Sequence, residues 1–86
     1  MANEKILVVD DEEYILELIS FNLTNNGYTV LTANNGIDAV KIAIEEKPNL
    51  ILLDLMIPGK DGYDVCKEVR SNIEIKNIPI KKKKKK

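Results

Sequence analysis

Ile6-Leu7-Val8-Val9-Asp10-Asp11-Glu12-Glu13 is four apolar residues running straight into four acids. A short continuous apolar run fits a strand buried on both faces, as in a parallel sheet. The acids that end it suit a helix N-terminus, where carboxylates meet the positive end of the helix dipole. Ile15, Leu18, Ile19 and Leu23 then recur at helical spacing and mark one apolar face. Asn25-Asn26-Gly27 stops that helix, with a glycine free to take the left-handed conformation. The first unit of the chain is therefore strand, then helix.

The unit repeats. Thr29 to Ala33 reads as a second strand and Asn34-Asn35-Gly36 as a turn. Ile37, Val40 and Ile44 mark a second amphipathic helix, which Pro48 ends. Leu50-Ile51-Leu52-Leu53 is a third strand, apolar until Asp54. Pro58-Gly59-Lys60-Asp61-Gly62 is dense in turn residues. Cys66, Val69 and Ile73 give a third helical face, and Asn77-Ile78-Pro79-Ile80 starts a fourth strand. Alternation of this kind implies right-handed βαβ units and a parallel α/β sheet.

Composition places limits on the function. The chain has 86 residues, enough for one domain. It has no run of about 18 apolar residues, so no membrane span is expected. Its one cysteine, Cys66, cannot form an internal disulfide, and a cytoplasmic location is expected. Cys66 lies on the apolar helix face and reads as packing. With no histidine, a histidine base or metal ligand is excluded. No glycine-rich phosphate loop is present, so nucleotide binding is not indicated. The net charge of −1 hides an asymmetry: without Lys81 to Lys86 the body carries 7 cations against 14 anions, or −7.

Three aspartates end strands: Asp10 and Asp11 after the first, Asp54 at the third. Ligands of open parallel sheets bind beyond the carboxyl ends of the strands, at the topological switch point. If strands one and three are neighbours, these carboxylates converge and need neutralising. A hard cation such as magnesium does this economically, and a carboxylate can then act as a nucleophile towards phosphorus. Taken alone, Asp10 to Glu13 reads more simply as a helix N-cap. Asp54 does not, because a charge set inside Leu50 to Ile57 is costly unless it is paired or functional.

Lys5 to Glu12, Asn35-Gly36 and Leu53-Asp54-Leu55-Met56-Ile57-Pro58-Gly59-Lys60-Asp61-Gly62 closely resemble, at matching spacing, the receiver domain of bacterial two-component response regulators. The resemblance runs from about Lys5 to Ile80. It implies a flavodoxin-like doubly wound parallel sheet, with this chain supplying the (βα)3 portion of a (βα)5 receiver, truncated after the third helix. It implies that Asp54 is the phosphoacceptor, that Mg2+ is the cofactor, and that Asp11 binds the metal directly and Asp10 mainly through water. The backbone carbonyl of Met56 completes the metal set of Asp10, Asp11, Asp54 and Met56. The implied phosphodonor is a phosphohistidine on a sensor histidine kinase or phosphotransfer protein. The implied role is a signalling switch in a phosphorelay rather than an enzyme. The wording of the segments is most similar to receivers joined to a winged-helix DNA-binding output domain, which would lie in the missing C-terminal part.

The family places a hydroxyl residue at the end of strand four, and by register Lys84 falls near it. The expected domain is residues 1–80, with 81–86 a polylysine tail that stays solvated because like charges repel. Three origins of the tail remain open: an appended segment, read-through of an adenine-rich stretch, or a polybasic arm. An arm would bind nucleic acid without sequence specificity. Its closeness to the acidic cleft also lets a lysine fold over Asp10, Asp11 and Asp54 and compete with magnesium. Strand three is expected to become an exposed sheet edge that favours self-association. Two other readings compete: an inactive fragment that serves only as an interaction or dimerising piece, and an aspartyl-phosphate phosphohydrolase. Such hydrolases need an acid two residues after the nucleophile, and here that residue is Met56.

Overall fold

The computed structural model describes residues 4–83. The elements are β1 (Lys5–Val9), α1 (Glu13–Asn25), β2 (Thr29–Ala33), α2 (Gly36–Glu46), β3 (Leu50–Asp54), α3 (Gly62–Ser71) and β4 (Ile80–Lys83). The strands form one parallel sheet in the order β2-β1-β3-β4. The order reverses direction at β1, so β1 and β3 are neighbours and their carboxyl ends share a crevice.

Side-chain alternation along the strands assigns the two faces. Leu7, Val9, Ile51 and Leu53 join Ala39, Ala43, Val65 and Val69 in one buried cluster, so α2 and α3 close that face. Ile6 and Val8 are also buried but lie outside that cluster, on the face that α1 crosses. None of the 13 residues of α1 is buried.

Helix boundaries follow from local chemistry. The Asn35 side chain accepts from Asp38 N–H at 2.8 Å and Asp61 accepts from Asp64 N–H at 3.0 Å, which caps α2 and α3. Gly27, at φ 92°, ends α1 as its composition suggests. Lys47, left-handed at φ 47°, ends α2 one residue before Pro48.

Several expectations change. The buried face of α2 is Gly36, Ala39, Val40 and Ala43, whereas Ile37 and Ile44 are exposed. Small residues let the helix approach the sheet closely, so residue size misled the periodicity. Leu18 is half exposed, and Ile73 lies beyond α3 in solvent. β3 is not an edge: it pairs with β1 on one side and β4 on the other. The tail is not wholly free either, because Lys81, Lys82 and Lys83 pair with Leu52, Leu53 and Asp54. Parallel backbone bonding at this edge leaves all three ammonium-bearing side chains exposed, so the strand buries no charge. Among the described residues β4 is the outer strand, with its lysines along that edge. Lys84 to Lys86 lie outside the described residues.

Candidate functional site

Two strand ends build the site in the same way. After β1, Glu12 N–H donates to Asp10 Oδ1 at 2.9 Å. After β3, Met56 N–H donates to Asp54 Oδ1 at 2.9 Å. Each aspartate thus folds its own following backbone into a tight turn, and each carboxylate plane is held by it. Of the capping alternative for the first acidic run only the charge part holds: Glu12 occupies the N-cap of α1 without a side-chain cap bond, and Glu13 stands in the first turn.

Sheet hydrogen bonds carry the register to this end. Asp10 N–H donates to Ala33 O at 3.1 Å, and Leu55 N–H donates to Lys83 O at 2.9 Å. Asp10 and Asp54 are each 1% exposed, whereas Asp11 faces solvent. One carboxylate oxygen from each of Asp10, Asp11 and Asp54 lies within 4.8 Å of the others. Sequence reasoning named these three residues, and the fold brings all three together.

The donor set suits a small divalent cation. Octahedral coordination with metal–oxygen bonds of about 2.1 Å places ligand oxygens roughly 3–4 Å apart, so three carboxylates spread over 4.8 Å close on such an ion with little movement. Hard, anionic oxygen donors are the preferred chemistry for it.

The loop after Asp54 is seated firmly. Leu55 and Ile57 turn into the core, while Met56 between them is 62% exposed. Gly36 N–H donates to Pro58 O at 3.3 Å, and Gly62 N–H donates to Leu55 O at 3.2 Å. A Cβ on Gly36 would collide with the Lys60 carbonyl oxygen, and one on Gly62 would sit 2.5 Å from Leu55 Cα. Both positions need glycine because backbone passes where a side chain would be. Lys60 is not simply solvated: it pairs with Glu68 on α3, whose carboxylate holds the ammonium above the usual lysine range.

A groove of about 310 Å³ leads to the buried pair, lined by Val8, Ile19, Leu52, Asp10, Asp54 and the β4 lysines. The residue opposite Asp54 is Lys83. Its Nζ lies 3.5 Å from Asp10 Oδ2. Residues 73–77 form turns around buried Ile75, and the strand starts at Ile80 rather than Asn77.

Residues 6–81 match the family model described as the response regulator receiver domain. The chain belongs to that family. The receiver resembles the chemotaxis response regulator CheY4 of Vibrio cholerae at 32% identity and a TM-score of 0.91, over 94% of this chain and 68% of that one. A receiver protein from Methanoculleus marisnigri matches at 28% identity and 0.89, over 94% and 66%. The receiver domain of sensor histidine kinase PA1611 from Pseudomonas aeruginosa matches at 32% and 0.89, again over 94% and 66%; that structure holds a magnesium ion in its active-site cleft. The chain spans about two thirds of the length of these receivers. Its described residues supply four of the strands and three of the helices in a flavodoxin-like arrangement, and none of these helices is long and apolar enough to cross a membrane.

Proposed function

We propose that this receiver accepts a phosphoryl group on Asp54 from a phosphohistidine of a sensor histidine kinase or phosphotransfer protein, with Mg2+ held by Asp10, Asp11, Asp54 and the Met56 carbonyl. The observation that carries this reading is the convergence of three carboxylates from two strand ends, with Asp54 buried at the end of β3. An Asp54 carboxylate oxygen attacks phosphorus and forms a P–O bond. The P–N bond to the donor imidazole breaks, its electron pair stays on nitrogen, and a proton from water restores the neutral donor ring. Met56 N–H fixes the Asp54 carboxylate plane for this approach. Bound magnesium supplies charge neutralisation between the carboxylates and the incoming phosphoryl oxygens.

Receivers act as phosphoacceptors, and this one is read as a signalling switch in the cytoplasm rather than a turnover enzyme. Met56 supports that reading, because no acid stands two residues after Asp54 to drive hydrolysis.

The test is incubation with acetyl phosphate, with and without magnesium, followed by intact mass. The expected result is a gain of one phosphoryl group that needs magnesium and is absent in Asp54→Asn. A folded protein that gains nothing would contradict the reading.

A further inference from the structure

The geometry points to Lys83 as a built-in counter-ion of the acidic cluster, one that holds Asp10 in the metal-free protein and must move aside when a divalent cation enters. Metal affinity is then set by Lys83 as well as by the carboxylates. This rests on the reading of Asp10, Asp11 and Asp54 as the magnesium site.

Three observations converge. The register places Lys83 directly opposite Asp54, and Leu55 N–H donates to the Lys83 carbonyl at 2.9 Å, so backbone bonding fixes where this side chain starts. Its ammonium reaches back to 3.5 Å from Asp10 Oδ2. The lysine side chain is 50% exposed while that of Asp10 is 2% exposed, so a charge based in water pairs with one based in the protein. A flexible four-carbon stem lets such an ammonium leave at little cost.

Position on the strand distinguishes this lysine among the described ones. All three β4 lysines border the groove, but strand alternation sets the Lys82 side chain on the other face from Lys83, and Lys81 lies two residues farther from the strand end. Lys81 shares the general positive field but not the ion pair with Asp10.

Two effects act in one direction. An entering divalent ion meets a positive charge within a few ångströms, and it must also displace an existing partner of a ligand carboxylate. Each lowers magnesium affinity. Because Lys83 is half in water, the penalty is modest and falls with ionic strength.

The test is magnesium titration by calorimetry on wild type, Lys83→Gln, Lys83→Met, Lys83→Arg and Lys81→Gln, at low and at physiological salt, with folding checked by circular dichroism. Lys83→Gln and Lys83→Met are expected to bind magnesium about tenfold tighter at low salt. Lys83→Arg should remain near wild type, and Lys81→Gln within about twofold of it, because more distant charge is screened. The advantage of the neutral variants should shrink as salt is raised. Neutral variants that bind no tighter than wild type would overturn the inference and leave the magnesium site standing, as would an equal gain from Lys81→Gln. Absence of magnesium binding in every protein would overturn the metal reading and this inference with it. If a neutral variant folded only with magnesium present, the counter-ion role would be upheld, and a variant that magnesium did not restore would count against it.

Discussion

The two faces of the sheet are built to different standards. On one, α2 and α3 bury Leu7, Ile51, Leu53, Val65 and Val69 to within about a hundredth of full exclusion from water. On the other, α1 is the one helix among the described residues, Leu18 is 50% and Phe21 65% exposed, and a groove opens between Ile19 and Leu52. The closed face holds the fold together. The groove on the other is lined by Asp10 and Asp54. Asp10 and Asp54, whose carboxylates this groove reaches, are fixed by sheet register and by their own turns.

Substitutions should separate the faces, and urea unfolding is the common measure. Leu53→Ala on the closed face should have the largest effect, a loss of about 3 kcal/mol, because the cavity is lined on all sides by core. For a domain this small, that is a large part of the total. Gly36→Ala should follow at about 2 kcal/mol, since the new methyl meets Lys60 backbone rather than a movable side chain. It should also weaken magnesium binding by displacing the loop that carries Met56, and calorimetry would record that. Leu52→Ala, partly buried beside the groove, should cost only about 1 kcal/mol. Phe21→Ser on the outer side of α1 should stay within about 0.5 kcal/mol of wild type. If Leu52→Ala proved as costly as Leu53→Ala, the contrast between the faces would be wrong.

The chain is legible where chemistry is local. Apolar runs ending in aspartate gave β1 and β3 and all three clustered carboxylates, because a strand buried on both faces admits little else. Asn26-Gly27 and Pro48 marked helix ends for stereochemical reasons that need no tertiary context. What escaped depends on partners distant in sequence. Ala39 and Ala43 form the buried face of α2 since the helix must approach the sheet, and a search for large apolar residues overlooks them. The pairing of Lys81 to Lys83 with β3 runs against the solubility of lysine, but an outer strand satisfies its backbone and leaves the ammonium groups in water. The start of β4 at Ile80, after the turns around Ile75, and with it the placing of Lys83 opposite Asp54, likewise depend on tertiary context. The expectation that a lysine would reach the acidic cleft came from chain geometry alone, and the ion pair with Asp10 is where the fold places one.

Chemical mapping of the acceptor tests the central claim most directly. The protein would be treated with acetyl phosphate and magnesium, reduced with borohydride, digested, and sequenced by mass spectrometry. An aspartyl phosphate is reduced to homoserine, whereas an unmodified carboxylate or a phosphorylated hydroxyl is not. The account predicts homoserine at position 54 and at no other aspartate. Homoserine at position 10 or 11, or none in a folded and magnesium-bound sample, would contradict it.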